Sequence, residues 1–178
     1  MRTLSLVLTT TLLLMGGVLA GCGGSGSDSA DGGSTESSAT ATTSNSASGS
    51  VDQTVTIEPQ GNQMKYKQKE FTVAPGATIK LVFDNSATAP SMQHNVVVLS
   101  KAPSDEVFRR VGEGGMQAGS ANEYVPDDPA VLAATDMSQP GETVSVTFTA
   151  PEETGDYGYV CTFPGHWATM QGTMHVKD

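Results

Sequence analysis

Through residues 51–178 the apolar positions recur mostly at every second residue, with Pro and Gly between the runs. That is the pattern of short, half-buried strands joined by turns. Val55 and Ile57 alternate with polar neighbours and lead into a Pro59-Gln60-Gly61-Asn62 turn. Phe71 and Val73 run to Ala74-Pro75-Gly76, after which Ile79, Leu81 and Phe83 share one parity. Residues 94–99 are apolar and rich in β-branched side chains, which predicts a well-buried strand across that stretch. Val144, Val146 and Phe148 alternate again, and Tyr157, Tyr159 and Cys161 place a cysteine where a strand runs into a loop. Several short strands with such turns predict an all-β protein, a β-sandwich.

Residues 101–139 break the pattern. Ser104 is placed to cap a short helix over residues 105–111, with Asp105 and Glu106 favourable in its first turn. Gly112, Gly114 and Gly115 are expected to end it. The rest, with Pro126 and Pro129, reads as a flap beside the sandwich or as a long crossover between sheets.

The first fifty residues follow other rules. Arg2 precedes a short apolar run that ends in Leu19-Ala20-Gly21-Cys22. A positive start, a short apolar stretch and small residues at its end describe an export signal over residues 1–21. Leu-Ala-Gly-Cys resembles the bacterial lipobox, which would make Cys22 the lipid-modified mature N-terminus. An ordinary signal cut nearby would instead leave Cys22 as an unexplained thiol. Residues 22–50 are nearly all small and polar. Such a segment cannot bury enough apolar surface to offset its ordering entropy, so it is expected to be a disordered tether or a passive spacer. The remaining 51–178 suit one domain with one core.

Only three histidines and two cysteines are present, so their spacing is informative. Cys161, His166 and Met170 fall within Cys-Thr-Phe-Pro-Gly-His-Trp-Ala-Thr-Met, and His94 lies upstream after Met92-Gln93. Taken singly, a Cys is commonly a small buried hydrophobe and a Met is commonly core filler. Together, one thiolate, two imidazoles and one thioether suit copper cycling between Cu(I) and Cu(II). A trigonal His₂Cys set with a weak axial Met is the geometry of blue-copper electron-transfer sites. Zinc gains little from a thioether. His175 reads as a solvent-facing strand residue. With Cys22 lipidated and Cys161 on the metal, no disulfide is expected, and a binuclear centre bridged by two thiolates is excluded.

The domain also resembles the azurin-type cupredoxins, whose fold is a Greek-key β-sandwich. The resemblance covers essentially all of 51–178. It is carried by Asn62–Tyr66, Lys69–Val73, Met92–Asn95, Gly115-Met116, Tyr124–Asp128, Val144–Phe148 and Cys161–Met170. It implies one type 1 copper, with His94, Cys161 and His166 as equatorial ligands and Met170 as the axial one. It further implies backbone N–H donors from Asn95 and Phe163 to the thiolate, with Pro164 keeping another donor away. The Asn95 side chain is implied to tie the two ligand loops. Azurins place a Gly just before the first ligand His, whose carbonyl makes a weak axial contact; here that carbonyl belongs to Gln93. Gln at this position and the Ser/Thr-rich tail are also similar to auracyanins, membrane-associated relatives.

The resemblance further implies that the edge of His166 reaches the surface through an apolar patch. Met64, Met92, Pro164 and Trp167 are the candidates to surround it, although core packing explains the two methionines equally well. The function implied is single-electron transfer between redox proteins such as cytochromes or membrane oxidoreductases. Copper storage or delivery is the alternative, but Met-rich and His-rich tracts are missing. A copper enzyme would need further histidines, and only His175 is left unassigned. No acid–base pair or small-molecule substrate pocket announces itself, so the chain is not expected to be an enzyme. The domain's sixteen Asp/Glu against eight Lys/Arg argue against nucleic acid and either favour a basic partner face or merely aid solubility. The expected location is outside the cytoplasm, periplasmic or at the cell surface, anchored by lipid to a membrane.

Overall fold

The computed structural model describes residues 50–178. The signal segment, Cys22 and nearly all of the tether fall outside the described residues. Among the described residues, eight strands form two sheets. β1 (Gln53–Ile57), β3 (Thr78–Asp84) and β6 (Thr143–Thr149) make the smaller sheet in the order β1-β3-β6. β2 (Glu70–Val73), β8 (Gln171–Val176), β7 (Gly155–Val160), β4 (Val97–Leu99) and β5 (Val131–Ala134) make the larger one in that order. β1 runs parallel to β3 and β2 parallel to β8, while the other pairs are antiparallel. The period-2 pattern is explained by this layering. Ile79, Leu81 and Phe83 point into one core with Val55, Ile57 and Val73, and the intervening side chains face outward or lie at the margin.

Two expectations are corrected. The buried strand anticipated from residue 94 begins only at Val97, because His94 and Asn95 turn their polar groups elsewhere. His94 forms an isolated bridge with Ser138. Within the flap, residues 131–134 pair with β4 as an edge strand. The apolar run Val131-Leu132-Ala133-Ala134 carries no alternation to announce it.

The second correction is the helix. α1 spans Asp105–Ala118, twice the expected length, and Ser104 caps it through Val107 N–H at 3.3 Å. It runs through Gly112, Gly114 and Gly115 although each costs about 1 kcal/mol against Ala in a helix. Packing explains why. A Cβ at Gly112 would lie 2.1 Å from Trp167 Cγ, and one at Gly115 would lie 2.5 Å from the Tyr124 carbonyl oxygen and 2.9 Å from Thr162 Cβ. These glycines let the helix lie directly on the loop that follows β7. Phe108, Val111, Val97, Leu99 and Val160 form a second apolar cluster beneath it, with Trp167 packed at its edge.

Candidate metal centre

The loop leaving β7 is closed on itself before β8 begins. Cys161 N–H donates to the Met170 carbonyl at 3.0 Å, and Met170 N–H donates to the His166 carbonyl at 2.9 Å. Between them, Pro164 and Gly165 reverse the chain; Gly165 takes φ +83°, a conformation that costs glycine little. A 3-10 turn, His166–Ala168, then directs the His166 ring inward. His94 arrives from the other side. Its backbone N–H and carbonyl pair with Ser138 at 3.1 and 2.8 Å. The Asn85 side chain donates to the Met92 and Ser138 carbonyls at 2.9 and 3.0 Å, so the approach to His94 is pinned as well.

These two loops bring three ligand atoms together. His94 Nδ1 and His166 Nδ1 are 3.1 Å apart, and each is 3.8 Å from Cys161 Sγ. The point equidistant from the three atoms lies about 2.1 Å from each, which is the length of an ordinary metal–imidazole bond and about 0.2 Å short of a metal–thiolate bond. The donor set therefore fits one ion with only a slight shift of the sulfur. Among the described residues these are the only His, Cys, Asp or Glu side chains grouped closely enough to hold a metal. Met170, fully buried, shares the main core with Cys161 and supplies the thioether. His175 lies elsewhere, on β8, bonded through Nδ1 to Asp156 at 2.6 Å.

Burial governs the electrostatics. Desolvation pushes the Cys161 thiol up to about 12, against a smaller opposing pull from the backbone N–H groups of Asn95 and Phe163. It lowers His94 to about 4, with His166 adding to the effect, and it lowers His166. Without metal the site thus holds a neutral thiol and two neutral imidazoles, and metal entry must displace the thiol proton. His94 Nε2 is buried with no hydrogen-bond partner, so no acceptor strengthens that imidazole as a donor.

Asn95 joins the pieces. Its Oδ1 accepts from Thr162 N–H at 2.9 Å, and its Nδ2 donates to Thr162 Oγ1 at 2.9 Å and to the Glu123 carbonyl at 3.1 Å. Glu123 and Tyr124 both take the left-handed conformation, φ 53° and 55°, which costs side-chain-bearing residues about 1 kcal/mol or more each. They are held there by Asn95, by the Glu123 carboxylate accepting from Met137 N–H at 2.9 Å, and by Tyr124 packed edge-on against Phe163. The sequence offered no signal for that turn, nor for Asn85.

The rim differs from residue to residue. His94, Cys161 and Met170 are fully buried, whereas His166 is 5% exposed, the only one of the four with an edge at the surface. Met64 is 43% exposed and its carbonyl accepts from Thr169 Oγ1 at 2.9 Å, which fixes it beside the metal loop. Pro164 is exposed and Met92 half-buried. Gln93 is half-buried beside a hollow lined by Glu123, Tyr124 and Met137. Trp167 packs on Gly112 of α1, so its ring serves the helix contact in addition to any exposed role.

A two-sheet β-sandwich that buries a preformed His₂Cys set, with a thioether in the same core, defines a mononuclear copper protein of the cupredoxin class. Comparison with known proteins agrees. Residues 53–177 match the copper binding proteins of the plastocyanin/azurin family, and the chain belongs to that family. It is 35% identical to auracyanin-A of Chloroflexus aurantiacus over 176 residues, 98% of each chain. It is 43% identical to azurin of Alcaligenes faecalis over 127 residues, 67% of this chain and 96% of the other. The crystal structure of dithionite-reduced auracyanin from Roseiflexus castenholzii superimposes with a TM-score of 0.63 at 38% identity, covering 70% of this chain and 97% of that one.

Proposed function

We propose that the protein is a membrane-tethered carrier that passes single electrons between redox proteins such as cytochromes or membrane oxidoreductases. Copper held by His94, Cys161, His166 and Met170 supplies a one-electron Cu(I)/Cu(II) couple. The chain's part is to hold those side chains at fixed separations, to exclude water from three of them, and to leave the edge of His166 as the exit.

One observation carries the reading. No Asp, Glu, Lys or Arg occurs in residues 59–64, 85–100 or 157–176. Those segments hold all four ligands together with Met64, Met92 and Pro164. All sixteen acidic and eight basic residues of the domain lie elsewhere. The ligand-bearing loops thus present an uncharged rim around His166, suited to the small, weak interfaces of redox encounters. Electron self-exchange between oxidised and reduced copies, followed by NMR line broadening, tests it. Rapid exchange that changes little with ionic strength is expected, despite the net negative charge of each copy. Slow exchange, or a steep rise with salt, would refute docking through this end.

The N-terminal part of the proposal is that export leaves Cys22 lipid-modified and residues 23–50 as the tether. The lipobox-like Leu-Ala-Gly-Cys supports it, as does the auracyanin-A alignment, which spans the N-terminal segment as well as the domain. Expression with Cys22→Ala should move the protein from the membrane to the soluble fraction. Unchanged membrane association would refute the anchor.

A further inference from the structure

His94 is the one ligand of the four that lies outside the Cys161–Met170 loop, so its place relative to the others depends on what holds it from elsewhere. A histidine that binds a metal through one ring nitrogen is commonly oriented by a hydrogen bond at the other. His94 faces the site through Nδ1. No group among the described residues accepts from its Nε2, which is buried. The orienting therefore has to come through packing and through the main chain.

Both lead back to the end of β3. Phe83, on that strand, packs its ring edge-on to the His94 ring at 6.1 Å. Just past the strand, Asn85 is fully buried, and its side-chain amide donates twice, to the Met92 carbonyl at 2.9 Å and to the Ser138 carbonyl at 3.0 Å. That Ser138 carbonyl also accepts from His94 N–H at 3.1 Å, and Ser138 N–H returns a bond to the His94 carbonyl at 2.8 Å. One amide thus holds the peptide before Gln93 and the acceptor of the peptide after it. Asn85 itself starts from a fixed point. Its N–H donates to the Glu142 carbonyl at 2.9 Å, and its carbonyl accepts from Gly141 N–H at 2.7 Å. We infer that Asn85 is a positioning residue for the copper site: its side-chain amide holds His94 in place against the three ligands of the metal loop. Cu(II) favours tetragonal arrangements, whereas Cu(I), with a filled d shell like that of zinc, has no such preference. A fixed His94 denies Cu(II) that relaxation and so favours the reduced ion. The inference rests on copper occupying the site described, and it is independent of whether the protein carries electrons between partners.

Asn85→Ala in the copper-loaded protein tests it, read by voltammetry and by electron–nuclear double resonance. With the amide gone, the midpoint potential is expected to fall by about 59 mV, a tenfold change in the Cu(I)-to-Cu(II) affinity ratio, and the copper hyperfine splitting to widen. The nitrogen coupling of His94 should change, while that of His166, whose loop Asn85 does not touch, should keep its value. A less stable variant with an unchanged potential and both couplings intact would reduce Asn85 to a structural residue and overturn the inference. Should Asn85→Ala fail to fold, NMR of the unmodified reduced protein still decides. Asn85 side-chain amide protons shielded from solvent and coupled through hydrogen bonds to the Met92 and Ser138 carbonyls would support the inference; free exchange of those protons would overturn it. An intense thiolate–copper band in the unmodified protein, whatever the variant does, separates failure of this inference from failure of the copper reading.

Discussion

Loading the site with Cu(II) should release close to one proton per ion at neutral pH, and that proton should come from Cys161. Burial places the thiol at about 12, so forming the thiolate at pH 7 costs about 7 kcal/mol, which the metal–sulfur bond must offset. The imidazoles contribute almost nothing there, since both are held neutral by burial. Apparent affinity should therefore rise about tenfold per pH unit around neutrality. Calorimetry in buffers of different ionisation enthalpy counts the protons directly. The decisive comparison is at pH 5. Two ordinary histidines would be mostly protonated there, and the count would approach three. With His94 at about 4 and His166 also lowered, it should stay well below that. A count near three at pH 5 would refute the buried, neutral histidines, and a count of zero at pH 7 would refute the protonated thiol.

The metal-free domain should lose about 2 kcal/mol of stability as pH falls from 6.5 towards 4, because the unfolded chain takes up a proton that folded His94 resists. Chemical denaturation across that window measures it, and a flat profile would count against the shift. Replacing Gly112 with Ala should destabilise by about 1–3 kcal/mol despite the better helix propensity, because the new methyl meets the Trp167 ring; a more stable variant would refute the close packing. Asn95→Ala leaves Thr162 N–H and the Glu123 carbonyl without their partner. A loss of about 2–3 kcal/mol with weaker copper binding is expected, measured by denaturation and metal titration.

The ligands were legible in the sequence because the chemistry needs rare residue types at short spacing, and Cys161 to Met170 supplies three of them in ten positions. Strands of one parity, such as Ile79, Leu81 and Phe83, were legible because one face is buried and the other is not. Two kinds of information were hidden. The length of α1 depends on a Trp and a Thr from a distant loop meeting Gly112 and Gly115, and local propensity carries no trace of them. The early part of the anticipated strand from His94 gave way because Asn95 bonds Thr162 and Glu123 across the fold. In both places long-range contacts overrode the local pattern.

The closed position of Cys161 bears on how the empty protein survives. Thiolates, not thiols, react with peroxides and disulfides. A thiol held near 12 exposes about one thiolate in a hundred thousand molecules at pH 7, and its sulfur has no surface from which to be attacked. A newly folded chain can therefore wait for copper in an oxidising environment without forming sulfenic acid or a mixed disulfide. The burial that makes the metal displace a proton also preserves the residue that will receive it.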